Sequence, residues 1–283
     1  MSLLCVREAV VASVDVETAI DFHARAFGME VIGRDDSSVL MGAPGAASGR
    51  IRLVAAQGTA TPAEVWDLGP RLLGIYSHDL DATAEAIAAA GGAPRPPVTY
   101  PYGAASLSEL VANGRDNVWW TVPLAVPGAH RPSAAYASAP ERLHSELHTV
   151  VLVVDDHDAA VAFFEAGGLS TVFDGEMTGP DFERLVGMPE GATLRLAFMG
   201  GPEHLPARFE IMSFSGVDSV DRRGEPVGIQ RVAFACDDVA ATRAALVAAG
   251  ARPQEDGGLL GPVGVVIDLV DQARLEEREV GAR

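Results

Sequence analysis

The segment that decides the fold is Leu147–Val154 (LHTVVLVV), which is followed by Asp155 and Asp156. Its run of Val and Leu is typical of a buried strand. The alanine-rich stretch behind it predicts a helix that ends at Gly167-Gly168, and more strand-like segments follow. The start of the chain has the same pattern, because a strand predicted over 8–15 precedes an amphipathic stretch there. An internal repeat of this kind determines the architecture before any local prediction does.

Two further copies of the pattern carry a shared helix signature. Asp79–Gly91 (DLDATAEAIAAAG) and Asp238–Gly250 (DVAATRAALVAAG) have the same spacing from aspartate to glycine. Each aspartate is placed to cap the start of a helix, and each glycine to adopt a left-handed conformation at its end. The sequence therefore predicts four similar units that begin near residues 5, 71, 146 and 228.

The length of 283 residues and the hydrophobic content of 48% are sufficient for two packed domains. The segment Pro123–Arg142 is rich in Pro, Ala and Ser and has no hydrophobic period, which predicts a linker. We therefore expect an N-terminal domain at 1–126, a linker at 127–144 and a C-terminal domain at 145–283.

The charge of the chain restricts its partners. With 21 basic and 39 acidic residues the net charge is −18, which disfavours nucleic acids and anionic membranes because both are bound by clustered Lys and Arg. Only Cys5 and Cys236 occur, without a CxxC motif, so no zinc or disulfide framework is expected. No leader peptide or long apolar run is evident. We expect a cytoplasmic protein that binds a small molecule, and leave both a monomer and a homodimer open.

Each unit predicts a strand, a helix and then three strands, and the third unit has an extra stretch at 174–192 that predicts a short helix or lid. With this βαβββ order in four copies, the chain resembles the vicinal oxygen chelate superfamily, the group of glyoxalases, bleomycin-resistance proteins and extradiol dioxygenases. The resemblance covers nearly the whole chain and implies an α+β fold of four modules. In this family, paired modules close eight strands into a half-barrel that cups a ligand. We expect modules one and two to form one cup, and modules three and four the other.

The resemblance also implies a site, because metal ligands in this family come from the first and fourth strands of paired modules. In the C-terminal domain these positions are His148, Glu210, Arg231 and Asp268. Imidazole and carboxylates suit a divalent cation, but a guanidinium has no lone pair to donate. Two alternatives stay open: a divalent metal on His148, Glu210 and Asp268, or no metal, with Arg231 pairing with the two carboxylates.

The equivalent N-terminal positions are Glu8, Arg52, Leu72 and Thr121. One carboxylate opposite one arginine, beside an apolar residue, is not a chelate. We expect an internal ion pair between Glu8 and Arg52 that helps to keep this cup folded.

Aromatic side chains are scarce, at 6% of the chain, so the positions of a few of them are informative about ligand contacts. Trp119 and Trp120 fall in one predicted strand and must face opposite sides of it. One of them, together with Tyr100 and Tyr102, is a candidate for stacking on a planar ligand. Packing in the core is the alternative for each.

The resemblance leaves two functions open. The first is a lyase, isomerase, epimerase or cyclase acting on a small oxygenated molecule, with Arg231 stabilising a developing oxyanion and His148 or Glu210 transferring the proton. Extradiol ring cleavage is not expected, because the iron-binding triad is interrupted at Arg231. The second is a binding protein that sequesters a drug or metabolite without chemistry.

Overall fold

The structure is a computed structural model that describes residues 2–102, 105–128, 130–201, 208–261 and 264–272. The helices in these ranges are α1 (Val16–Phe27), α2 (Leu80–Ala89), α3 (Ala134–Ser138), α4 (His157–Ala166), α5 (Pro180–Val186) and α6 (Val239–Ala248). The strands are β1 (Leu3–Ser13), β2 (Glu30–Arg34), β3 (Ser38–Gly42), β4 (Arg50–Ala55), β5 (Gly69–Ser77), β6 (Ala93–Pro94), β7 (Val98–Tyr102), β8 (Ala105–Asn113), β9 (Trp119–Pro123), β10 (His144–Val153), β11 (Ser170–Met177), β12 (Thr193–Gly200), β13 (Arg208–Ser215), β14 (Gly228–Cys236), β15 (Arg252–Pro253), β16 (Leu259–Leu260) and β17 (Val266–Asp271).

The helix that follows the first strand of each module is capped in the same way. In every case an aspartate carboxylate accepts a hydrogen bond from the backbone N–H three residues later, and these residues are Asp15, Asp79, Asp156 and Asp238. Gly91 and Gly250 follow α2 and α6 with φ of 92° and 109°, a region that favours glycine. The helix signature read from the sequence is confirmed.

The four modules form two sheets. The first sheet has the order β15-β16-β17-β14-β1-β4-β3-β2, and the second has the order β11-β12-β13-β10-β5-β9-β8-β6, with β7 added on β8. Within each module the first strand pairs in parallel with the last. The two modules of a sheet meet through their first strands, which pair antiparallel as β1 with β14 and β5 with β10. The α+β fold of four modules in two cups is therefore confirmed.

The expected partners of the modules were wrong. The first module shares a sheet with the fourth, and the second with the third, so the predicted boundaries at 1–126, 127–144 and 145–283 do not separate the two sheets. All four modules present the same kind of first-strand edge, and the repeat does not encode which two edges pair. The segment 127–144 joins two modules of one sheet and packs against it: the Tyr136 hydroxyl donates to the carbonyls of Tyr76 and Leu143 at 3.0 and 3.1 Å.

The two sheets share one hydrophobic core. It contains buried residues of the first strands of all four modules, such as Val11, Leu73, Leu152 and Phe234, together with the module helices. A second cluster of buried residues covers the concave face of the second sheet. The module helices α1, α2, α4 and α6 therefore pack on the faces of the sheets opposite the cups. In the described ranges, no helix is long and apolar enough to cross a bilayer.

The exchange of modules predicts that neither half of the chain folds alone. Residues 1–126 and 145–283, expressed separately, should show no cooperative thermal unfolding as monomers, because each would leave two first strands without their antiparallel partners. Co-expression of 1–126 with 127–283 should yield a folded complex. Circular dichroism and size-exclusion chromatography measure both. A monomeric, cooperatively folded half would contradict the exchanged pairing.

Candidate functional site

The cup of the second sheet encloses a cavity of about 320 Å³, within the range of small-molecule sites. Much of its wall is apolar, with contributions from Leu72, Met177, Leu194, Leu196, Phe198 and Phe214. The extra stretch in the third module forms α5, whose Phe182 ring lies 4.5 Å from the Tyr100 ring and lines the cavity. The prediction of a short helix over a pocket is confirmed.

His148 lies at an irregularity in the pairing of β10. The register of β10 against β5 shifts between Leu147 and Thr149, and such irregularities re-aim side chains beside functional sites. The His148 imidazole lies over β5 at Gly74: a Cβ added at Gly74 would overlap Thr149 Cγ2 and lie 3.0 Å from His148 Nε2. The ring also stacks on Tyr76, with 4.1 Å between centroids and 18° between planes. His148 thus lies at the wall of the cavity, in contact with Gly74 and Tyr76.

His148 is a neutral imidazole with unused hydrogen-bonding capacity. It is 5% exposed, and neither ring nitrogen has a hydrogen-bond partner among the residues that the structure describes. Burial holds the pKa of His148 well below its usual value of 6.5, and the charges of Arg208 and Arg131 lower it further. A buried polar group without a partner is costly. An occupant of the cavity that hydrogen-bonds to this imidazole would remove that cost.

Arg208 and Glu210 form an ion pair in the same cavity. The Arg208 Nε donates to Glu210 Oε1 at 2.8 Å, and the guanidinium carbon lies 3.7 Å from the centre of the Phe198 ring. Glu210 is 3% exposed. Both residues lie on the cup face of β13, because side chains two positions apart share a face. Sequence reasoning found Glu210 and missed Arg208, although its spacing of two from Glu210 was a usable signal.

Glu109, in β8, was also missed. Its carboxylate accepts a hydrogen bond from the Tyr100 hydroxyl at 2.5 Å and another from the Thr121 hydroxyl. Burial raises the pKa of Glu109, and the negative charge of Glu210 adds to this effect, whereas the two hydroxyl donors oppose it. An upward shift moves the pKa of a carboxyl group towards the range in which it can exchange a proton with a substrate. It lies on a third strand of its module, outside the first- and fourth-strand pattern.

The segment that connects the second and third modules contributes to the site. His130 and Arg131 line the cavity, and the His130 Nδ1 lies 2.7 Å from the Arg131 carbonyl oxygen. Burial and the neighbouring charge of Arg208 lower the pKa of Arg131. The Pro-, Ala- and Ser-rich composition that predicted a linker gave no indication of this role.

The predicted convergence of His148, Glu210, Arg231 and Asp268 in one pocket was wrong. Arg231 and Asp268 lie in the first sheet, where the Arg231 Nε and Nη2 donate to Asp268 at 2.8 and 2.6 Å. Arg231 also pairs with Asp256. Because the modules exchange partners, the four positions are divided between two cups. The Arg231–carboxylate pairing was predicted correctly for Asp268 but not for Glu210.

The first cup contains two arginine–carboxylate pairs at its four first- and fourth-strand positions. The Arg52 Nε and Nη2 donate to the Glu8 carboxylate at 2.5 and 3.0 Å, which confirms the predicted ion pair, and Arg231 with Asp268 is the second. Leu72 and Thr121, assigned with Glu8 and Arg52 from the sequence, lie instead in the second cup beside His148 and Glu210.

The aromatic candidates differ in position. Tyr100 lines the cavity, as predicted. Trp120 is fully buried in the shared core, with its ring 4.0 Å from that of Phe27. Trp119 is 5% exposed, donates its indole N–H to the Ala63 carbonyl at 2.9 Å and is absent from the cavity wall. The side chain of Tyr102 lies outside the described residues.

The residues of the second cup do not fit a chelated metal. Of its four family positions, Leu72 has no donor atom, Thr121 donates its hydroxyl to Glu109, and Glu210 is engaged by Arg208. Within the described ranges, no group of three or more His, Cys, Asp or Glu side chains is arranged to hold a metal ion. The triad of His148, Glu210 and Asp268 is divided between the two sheets, so the metal alternative is not supported by this geometry.

Comparisons with known proteins agree with this architecture. The model of the Glyoxalase/Bleomycin resistance protein/Dioxygenase superfamily matches residues 6–122 and 146–258, and the chain belongs to this superfamily. It is similar to glyoxalase I from Zea mays, with 19% identity over 98% of this chain and 95% of the other and a TM-score of 0.68. A mutant of that enzyme gives 18% identity over 96% and 95%, also with a TM-score of 0.68. At these identities the likeness shows the fold alone. No curated protein matches.

The close approach of His148 to β5 predicts that Gly74→Ala is destabilising. The added methyl group would overlap Thr149 and press on the imidazole, so we expect a loss of about 1–3 kcal/mol in the free energy of unfolding. Gly33→Ala is the matched control, since a Cβ at that strand glycine meets nothing within 4 Å. Urea unfolding measures both. Equal stability of the two variants would contradict the described packing.

The depressed pKa of His148 predicts a loss of stability in mild acid. As the pH falls below about 6.5, the unfolded chain binds a proton at this residue that the folded protein does not. The free energy of unfolding should therefore fall between pH 7 and pH 5, by up to about 2 kcal/mol from His148. His148→Gln should lose correspondingly less. His78→Gln, at an exposed histidine, is the control. Urea unfolding at both pH values provides the test, and identical losses in wild type and His148→Gln would contradict it.

Proposed function

We propose that the protein is a lyase- or isomerase-type enzyme that moves a proton on a small oxygenated organic molecule bound in the cup of the second sheet. The observation that carries the proposal is His148, a buried neutral imidazole without a hydrogen-bond partner in the described part of the chain, on the wall of a 320 Å³ cavity. A buried group with perturbed pKa in a largely apolar pocket is typical of a functional site.

The shape and chemistry of the cavity define the kind of substrate. Side chains such as Leu72, Met177 and Phe198 favour an apolar body. His148 and the Arg208 guanidinium favour an oxygen-bearing head, such as a carbonyl with an adjacent hydroxyl or second carbonyl group. Tyr76, stacked on His148, favours planarity near that head.

The residues supply the parts of a proton transfer. The lowered pKa keeps the His148 imidazole neutral at pH 7, so that it can accept a proton from the carbon beside the carbonyl. The negative charge that develops on the carbonyl oxygen would be stabilised by Arg208, whose orientation is set by Glu210 and Phe198. Glu109, whose pKa is raised, would protonate the resulting enolate, and a proton passed from the His148 imidazolium to the Glu109 carboxylate through solvent would return both groups to their starting states. The electrostatic role expected for Arg231 is thus assigned to Arg208.

The second candidate function is sequestration of a small molecule without chemistry. The extensive apolar wall of the cavity and the cover provided by α5 favour it. In that case His148 would hydrogen-bond to the ligand and transfer no proton.

Hydrogen exchange distinguishes the two functions. Phenyl-substituted α-hydroxyketones and 1,3-diketones that raise the Tm are incubated with the protein in D2O, and proton NMR follows loss of the signal beside the carbonyl. We expect catalysed exchange that is insensitive to EDTA. His148→Gln should lower its rate about 100-fold or more while the ligand still raises the Tm, and His78→Gln should leave the rate unchanged.

The alternative outcomes are equally clear. Ligands that bind the wild-type protein without any exchange would support sequestration and contradict the enzymatic proposal. Exchange that is abolished by EDTA and restored by a divalent cation would show that a metal takes part in the reaction.

A further inference from the structure

A second cavity lies apart from the cup, where the start of β5 meets the start of β14. It has a volume of about 140 Å³, and Arg71, Arg222, Glu225 and Gln230 contribute to its wall. Arg71 is 4% exposed. Because side chains alternate along a strand, Arg71 and its neighbour Leu72 lie on opposite faces of β5. Leu72 lines the 320 Å³ cavity. The two cavities are thus on opposite sides of one strand.

Arg222 makes the close contacts with both carboxylates of this region, Asp67 and Glu225. Its Nε lies 3.1 Å from Asp67 Oδ2, and its Nη1 lies 2.8 Å from Glu225 Oε1. Its Nη2 donates to the Pro62 carbonyl at 2.9 Å. The remaining oxygen of Asp67 accepts the backbone N–H of Val220 at 2.9 Å. Every nitrogen of the Arg222 guanidinium is therefore engaged.

Arg71, in contrast, is a buried cation without a salt bridge in the described part of the chain. Its Nε and Nη2 reach only the carbonyl oxygens of Asp67 and Leu68, both at 3.4 Å, which is long for a hydrogen bond. Burial lowers the pKa of Arg71, yet a guanidinium stays protonated in proteins. Asp67 and Glu225 attract it from a distance, but their contacts are made with Arg222. A buried charge that lacks close partners is costly.

We propose that this cavity binds a small oxyanion, a carboxylate or a phosphate, against the guanidinium of Arg71. A planar guanidinium suits bidentate contact with either group. The volume has room for one such anion, or for about four water molecules at ~30 Å³ each. The Gln230 side chain is fixed by its own bonds to the carbonyls of Glu225 and Gly228 at 2.9 and 3.2 Å, so the wall is preformed and the anion need not order it.

Thermal unfolding and isothermal titration calorimetry test the proposal with acetate and inorganic phosphate as separate probes. At constant ionic strength, set with sodium chloride, at least one of the two should raise the Tm progressively and bind with a stoichiometry of one. Binding of acetate would identify a carboxylate site, and binding of inorganic phosphate would identify a phosphate site. Arg71→Met, which keeps the apolar stem, should weaken binding at least about tenfold. Arg223→Met, at a neighbouring arginine that pairs with Asp221 outside the cavity, should bind like wild type.

Further variants distinguish anion binding in this cavity from binding in the cup and from a cavity that holds only water. His148→Gln should retain the anion affinity, because His148 is not part of this cavity. If Arg71→Met does not fold, Arg71→Lys replaces it: a point charge should bind more weakly than the planar guanidinium, and unchanged affinity would overturn the proposal. Absence of any effect of either anion beyond that of chloride would mean that the cavity holds water only.

Discussion

Antiparallel pairing between first strands is the interaction on which the rest of the structure depends. β1 pairs with β14 and β5 with β10, and each of these strands also pairs in parallel with the last strand of its own module. The four first strands therefore have hydrogen-bonded neighbours on both sides. In β10 all ten residues are also buried. The shorter and more exposed strands, such as β2 and β15, lie towards the edges.

The same pairing assembles the candidate site. His148 comes from the third module, and the two residues that set its orientation, Gly74 and Tyr76, come from the second. Thr121 reaches the cavity because β9 pairs with β5, and it holds Glu109 of the next strand. Neither module has a complete site by itself. The pairing of β5 with β10 therefore determines both the stability of the second sheet and the geometry of the site.

What could be predicted from the sequence follows from the range of the interactions involved. The aspartate caps and the helix ends depend on residues within a few positions of each other, and they were predicted correctly. The choice of partner module depends on contacts between distant strands that have similar sequences, and this choice was not predicted correctly. This single error placed Arg231 and Asp268 with His148 and Glu210. It also hid Arg131, because a segment read as a linker was not considered as a wall of the cup. Arg208 could have been predicted from Glu210, because side chains two positions apart in a strand lie on the same face.

The two cups differ in how their polar groups are satisfied, and this difference indicates where a ligand would act. In the first cup, Glu8 with Arg52 and Arg231 with Asp268 form bidentate pairs that need no further partner. In the second, two nitrogens of a buried imidazole have no partner among the described residues, each at a cost of about 1–3 kcal/mol. A fold of ordinary stability retains such a group only if the remainder of the structure compensates. A ligand that supplies the missing hydrogen bond would stabilise the folded state, so binding in the second cup and stability of the protein should be thermodynamically linked.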